Sequence, residues 1–295
     1  MTRRVGRERR VQRVNILSIQ SSVAYGHVGN SSAVFPLQRL GADVWAINTV
    51  QFSNHTGYGA WRGQVFDAAL IGDLVQGIAD RGVLPRCDAV LSGYMGDAAI
   101  GQAILDAALC VKDANPRALW CCDPVIGDVG RGIFVRPGIP EFFRDQALPK
   151  ADIATPNQFE LEWLTGTTIA TLADAKAAVA TLMAGGPRVV LLTSLAVEDT
   201  PDDAVDLLVG EGGAFHRLRT PRLSVQVNGA GDAIAALFLF HLLRGQGGAG
   251  AMASAVSSIF GVLRATEAAG SREILTVAAQ EEFVRPSRVF APEPA

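Results

Sequence analysis

The chain has 295 residues, with 26 basic and 29 acidic side chains and a net charge of −3. Hydrophobic residues make up 49% of it and charged residues 19%, which suits a packed core and excludes a disordered or fibrous protein. The near-neutral charge gives no electrostatic footprint for nucleic acid, and the longest uncharged run near the C-terminus, between Arg244 and Arg264, is too rich in Gly, Ser and Ala to read as a membrane span.

In chain order, residues 1–13 come first, with Arg3, Arg4, Arg7, Arg9, Arg10 and Arg13. They read as a disordered, solvated tail rather than a targeting peptide, because the apolar run behind them is short. Short β-branched runs at 14–19, 44–50, 89–92, 118–122, 152–155 and 189–193 then read as buried strands. Between them, apolar spacing predicts helices near 31–40, 67–81, 98–114, 158–164 and 172–183, with Gly41 and Gly185 at C-cap positions. Strand and helix alternating this way predict an α/β fold with a mostly parallel central sheet and helices on both faces. Residues 205–209 and 214–218 flank a Gly-rich turn and predict an added antiparallel hairpin. Two Ala-rich helices near 230–244 and 250–267 follow, then a short helix at 276–283 and a frayed tail at 286–295. With no repeat and no linker, residues 14–285 read as a single domain. Cys87, Cys110, Cys121 and Cys122 lack metal-ligand spacing and read as reduced thiols of a cytoplasmic protein.

Polar clusters fall where the predicted strands end: Gln20-Ser21-Ser22, residues 51–57, Ser92-Gly93-Tyr94, Asp123-Pro124 with Asp128 beyond, and residues 155–160. Ligands of open parallel sheets bind at the carboxyl ends of the strands, so these clusters describe one composite site. Alternation turns Ser22 away from the side that Ser21 faces. The sharpest local signal is Asn228-Gly229-Ala230-Gly231-Asp232 ahead of an apolar helix. Glycines at a helix N-terminus let backbone N–H groups approach a phosphate, and an acid there can take a proton from an attacking hydroxyl. The same loop also fits a plain helix start with Asp232 as N-cap. Walker and Gly-x-Gly-x-x-Gly fingerprints are absent.

The Gly-Ala-Gly-Asp loop resembles the anion-hole motif of the ribokinase superfamily, and the rest of the chain resembles its pyridoxal kinase branch. The resemblance is carried by residues 19–30, 48–56, 91–94, 122–125, 155–160 and the loop at 228–232, in order, and covers about residues 14–285. It implies a ribokinase-like fold and transfer of the γ-phosphate of Mg-ATP to the 5′-hydroxymethyl of pyridoxal. Asp232 is then the base, with Gly229, Ala230 and Gly231 presenting N–H groups to the phosphate. Ser21, Val50, Phe52, His55, Thr56 and Tyr94, with Asp232, line the vitamin pocket. Asp123, Thr155, Asn157, Glu160, Thr193, Ser194, Thr220, Pro221, Arg222, Leu223 and Asn228 meet the nucleotide, and Asp123, Asp128 and Glu160 surround Mg²⁺. Three positions bear on this resemblance: Thr193, where some relatives have Lys and others Thr, Ala230, where many have Thr, and Gly57, where Gln is common in one bacterial subgroup. The alternatives are a sibling kinase for hydroxymethylpyrimidine or a sugar, and a slow-turnover vitamin carrier. The resemblance also implies a homodimer, with no nucleic-acid or membrane partner.

Overall fold

The computed structural model describes residues 13–295, so the expected Arg-rich tail lies outside the described residues except for Arg13. The first half of the chain forms β1 (Asn15–Val23), α1 (Asn30–Arg39), β2 (Asp43–Phe52), β3 (Gly63–Val65), α2 (Ala68–Ala79), β4 (Ala89–Ser92) and α3 (Ala98–Ala114). Next come β5 (Leu119–Cys122), a small hairpin of β6 (Gly127–Asp128) and β7 (Gly132–Ile133), α4 (Ile139–Phe142) and β8 (Ile153–Ala154). The second half adds α5 (Gln158–Thr165), α6 (Leu172–Ala184), β9 (Val189–Leu195), β10 (Ala204–Glu211), β11 (Ala214–Pro221), α7 (Ala230–Leu243), α8 (Gly247–Ala268), α9 (Glu281–Val284) and β12 (Glu293–Pro294).

These strands build a ten-stranded sheet in the order β12-β11-β10-β9-β8-β5-β4-β1-β2-β3. The strands from β2 to β9 in that order are parallel to one another, as the α/β pattern predicts. The added hairpin extends one edge antiparallel. Each central strand is buried on both faces. In β9, Val189 and Leu191 face one core cluster, Val190 and Leu192 the other. Helices α1, α7 and α8 pack on one face through residues such as Leu37, Phe238 and Phe260. Helices α2, α3, α5 and α6 cover the opposite face through Ile71, Ile104, Leu161 and Val179. By length and composition α8 is apolar enough to cross a membrane, but most of it is buried against the sheet and α7.

β1 lies between β2 and β4, so the chain direction across the sheet reverses there. That reversal opens a crevice at the carboxyl ends of β1 and β4. The predicted helix 276–283 is shorter than expected, since residues 276–280 are turns and only α9 is helical. The expectation of a frayed C-terminus is corrected. β12 pairs with His216 and Arg217 of β11, and the Lys176 ammonium donates to the Ala295 carbonyl at 2.7 Å. Phe290 is buried with its ring 4.9 Å from that of Phe260. One buried aromatic and an open sheet edge are enough to hold the segment.

Candidate active site

A cleft of about 360 Å³ opens along the carboxyl ends of the strands. Ser21 from β1, Val50 and Phe52 from β2, His55 and Thr56 behind it, and Tyr94 behind β4 line one end. Asp128, Asn157, Glu160, Thr193 and Ser194 line the other. Asp123, Thr155 and the loop from Asn228 to Asp232 also line it. Ser22 turns away and meets the Ser31 hydroxyl at 3.1 Å, as strand alternation requires.

The loop at 228–232 owes its shape to Gly229. It is the N-cap of α7 at φ 89, and a Cβ there would collide with the His27 carbonyl oxygen. Asp232 is therefore not the N-cap but lies in the first turn, three residues on. A Cβ at Gly231, by contrast, would meet nothing within 4 Å. Chain packing gives no reason for glycine in that helical position, where it costs about 1 kcal/mol relative to Ala. The free space beside the first N–H groups of a helix suits an approaching anion.

Four carboxyls, those of Asp123, Asp128, Glu160 and Asp232, line the cleft. Asp123 is buried and accepts the Thr155 hydroxyl at 2.8 Å, and burial with the neighbouring Asp232 charge pushes its pKa up to about 7. Burial also raises Asp232, opposed by backbone N–H groups of Gly29 and of Asp232 itself. Glu160 is raised well above the carboxylate range by burial and then by Asp123. One Glu160 oxygen accepts the Ile126 N–H at 2.9 Å, and the other completes a capping box with the Asn157 N–H at 2.9 Å. Glu160 thus caps α5 and tethers the strand-five loop while facing the cleft. The Asp128 carboxylate accepts the Val129 N–H at 2.8 Å.

Toward the other end, the Gly57 N–H donates to His55 Nδ1 at 3.0 Å, so the neutral ring carries its proton on Nε2. Burial and then Arg131 lower the His55 pKa, and Glu273 opposes them. Burial raises the Tyr94 hydroxyl. Ser194 has φ 52, the one non-glycine residue with positive φ among those described, and it sits at the cleft wall.

The expected nucleotide segment at 220–223 is not brought to the cleft lining. Thr220 is buried in β11, Pro221 ends that strand, Arg222 Nε donates to the Asp202 carbonyl at 2.9 Å, and Leu223 packs on the core beside α7 and α8. The sheet extension that carries them runs outward from β9, away from the crevice. Conversely, Arg131 and Phe134 line the cleft and sequence reasoning missed them. The Arg131 guanidinium lies 5.1 Å over the Phe134 ring, on and just beyond the β6–β7 hairpin. A basic residue between Gly130 and Gly132, just past Asp128, was the available signal.

A family model described as phosphomethylpyrimidine kinase matches residues 67–276. Pyridoxal kinase PdxY of Granulibacter bethesdensis is 66% identical over 281 residues, covering 94% of this chain and 98% of the relative. The chain belongs to the pyridoxal kinase family. Pyridoxal kinase PdxY of Rubrobacter xylanophilus is 57% identical, covering 92% of this chain and 94% of its own. Pyridoxal kinase from Leishmania donovani, solved with ADP and pyridoxine, superposes with a TM-score of 0.89 at 30% identity, covering 95% and 99% of the two chains. As a pyridoxal kinase family member the chain is a phosphotransferase with a ribokinase-like fold.

Proposed function

We propose that this enzyme transfers the γ-phosphate of ATP to the 5′-hydroxymethyl of pyridoxal, with pyridoxine and pyridoxamine as further acceptors. The observation that carries this reading is Asp232, a carboxylate inside the first turn of α7 that lines the cleft beside the open space at Gly231. Relatives as similar as 66% named pyridoxal kinase favour the vitamin over a sugar or hydroxymethylpyrimidine acceptor and favour turnover over carriage.

In this reading the walls from Val50 and Phe52 clasp the flat pyridine ring, and Ser21, Thr56 and Tyr94 meet its polar edge. Asp232 takes the proton from the attacking hydroxyl, a task its raised pKa suits. Backbone N–H groups of Ala230 and Gly231 offset the charge that grows on the transferring phosphate. Asn157, Thr193 and Ser194, with Asp123, Thr155 and Asn228, hold the nucleotide. Thr220, Pro221, Arg222 and Leu223 lie outside the cleft lining and are given no role in this reading.

Asp123, Asp128 and Glu160 fit a magnesium ion. Two of them are buried acids whose pKa values burial and a neighbouring carboxylate raise, and hard oxygen donors suit the ion. Among the described residues no three acids converge tightly enough to hold a metal alone, so the ion would be shared with ATP phosphates and water. When bound, it would neutralise charge on the phosphates. The reduced-thiol reading behind a cytoplasmic location is supported by four free cysteines, three of them buried. A homodimer is supported by α2, which exposes Leu70 and Leu74 while burying Ile71 and Val75.

A coupled assay with ATP and pyridoxal tests the reading. Asp232→Asn should lower kcat by about 10²–10⁴-fold, the scale of a general base, with KM for ATP little changed. Near-normal turnover by the variant would reduce Asp232 to a helix residue.

A further inference from the structure

Outside the cleft lining, Glu273 makes a contact pattern that the reaction does not use directly. Its carboxylate lies between two loops that both serve the cleft. Oε1 accepts the Tyr58 hydroxyl at 2.5 Å, and Oε2 accepts the His27 backbone N–H at 3.2 Å. Tyr58 ends the short 3₁₀ turn Thr56–Tyr58, directly behind His55 and Thr56, which line the cleft. His27 belongs to the turn whose carbonyl packs on Gly229 and whose Gly29 N–H meets Asp232.

Several features equip Glu273 for this place. Ser271 brackets it, donating its hydroxyl to the Glu273 carbonyl at 2.7 Å and accepting the Glu273 N–H at 3.1 Å. The next residue, Ile274, is fully buried, so the base of the side chain is anchored in the core. Gly26 has φ 90, and a Cβ there would collide with the Glu273 carboxylate. The Arg272 guanidinium lies 4.8 Å over the Tyr58 ring, and Tyr25 meets that ring edge-on at 6.2 Å. The carboxylate holds the Tyr58 phenol protonated, its pKa pushed up to about 12, so the hydroxyl is a donor throughout the working range.

We propose that Glu273 is a positioning residue for the acceptor pocket: its carboxylate ties the loop bearing His55 and Thr56 to the turn that seats Gly229 and Asp232. It touches neither substrate nor the reacting atoms and acts through the two loops it joins. The inference rests on the assignment of that cleft end to the vitamin, and it deepens that assignment by naming what holds the pocket in shape. A carboxylate accepting two hydrogen bonds can do this, because charge-assisted bonds are about twice as strong as neutral ones. A Gln keeps partners for both, since its amide oxygen can take the His27 N–H while its NH₂ donates to the Tyr58 oxygen.

The test uses the full-length enzyme. Glu273→Ala should raise KM for pyridoxal about tenfold or more while KM for ATP stays within about twofold, because the loop that Tyr58 anchors carries His55 and Thr56 at the acceptor end of the cleft. Tyr58→Phe should move the same KM in the same direction by less, and Glu273→Gln should restore most of it. The double variant Glu273→Ala/Tyr58→Phe should be no worse than Glu273→Ala alone, because the two side chains act through one bond. Amide hydrogen exchange, which needs no turnover, should speed up at residues 26–29 and 54–62 in Glu273→Ala and stay unchanged elsewhere. Unchanged exchange in both loops, equal rises in both KM values, or additive effects of the two substitutions would each overturn the proposal. Failure of the unaltered enzyme to phosphorylate pyridoxal, with exchange responding as described, would instead sink the vitamin assignment and leave the tie between the loops standing.

Discussion

Asp123 shows what a buried acid at the cleft costs the protein that carries it. Its carboxyl is buried beside Asp232, and among the described residues only the Thr155 hydroxyl supports its charge directly. Its folded pKa of about 7 lies above the ordinary carboxylate value of 3.8. A raised acid contributes stability in its protonated form, fully present below the unfolded pKa and lost as pH rises through the folded one. Asp123→Asn removes the buried charge and keeps an oxygen for Thr155. Thermal unfolding without nucleotide should therefore show the variant more stable than the parent at pH 8, with the difference shrinking toward pH 5. The opposite order at pH 8 would mean that Asp123 is better solvated than its surroundings indicate. The same logic favours the proposed magnesium ion, which would relieve repulsion that the fold by itself leaves in place.

At the scale of elements, the N-terminus of α7 carries two glycines with different reasons to exist. Gly229 has a left-handed conformation and the His27 carbonyl packed where a side chain would go. Gly231 has ordinary helical geometry and open space. The two should part under the same substitution. Gly231→Ala should keep or slightly raise the melting temperature of the free enzyme, by the helix propensity of Ala, about 1 kcal/mol. It should nonetheless lower kcat/KM for ATP, because a methyl group would stand where the phosphate approaches. Gly229→Ala should lower the melting temperature itself. Denaturation curves and steady-state kinetics on both variants separate the roles, and full activity in Gly231→Ala would show that no anion comes close to that backbone. α7 is apolar all round and buried from Ala233 to Phe240, which fixes the axis along which its N–H groups point.

At the scale of the molecule, the C-terminal segment joins distant parts of the chain. β12 extends the sheet beyond β11, Lys176 of α6 reaches the Ala295 carbonyl, and Phe290 fills a place against α8. The Ser257 hydroxyl of α8 accepts the Phe290 N–H at 3.0 Å. Deleting residues 286–295 should cost roughly 3 kcal/mol, the scale for emptying a buried aromatic site, and lower the melting temperature by several degrees. Both KM values should hold, because the partners of this segment on β11, α6 and α8 do not line the cleft. A melting temperature that does not move would show that the segment adds nothing to stability.

Much of this architecture was legible in the residues themselves. The runs at 89–92 and 189–193 match observed strands because a strand buried on both faces is apolar at every position, whatever its neighbours. The helix predicted at 98–114 appears with those bounds because its apolar spacing and the capping side chain of Asp97 are both local. The polar clusters from Ser21 to Glu160 fall at or just beyond strand ends, and parallel strands all end on one side, so their convergence on one cleft followed from the periodicity, whereas Thr193 and Ser194 were singled out by the family resemblance alone. The tertiary structure alone decided the rest. Strand order placed the crevice at β1 and β4, which depends on long-range pairing that no window of sequence contains. It carried residues 220–223 out along the sheet edge, seated Arg131 over the cleft on a hairpin of two-residue strands, and packed a polar-looking C-terminus onto β11. It also joined Glu273 to Tyr58 across 215 residues. Local propensity and period are written in neighbouring residues, whereas these placements depend on which distant surfaces bury one another.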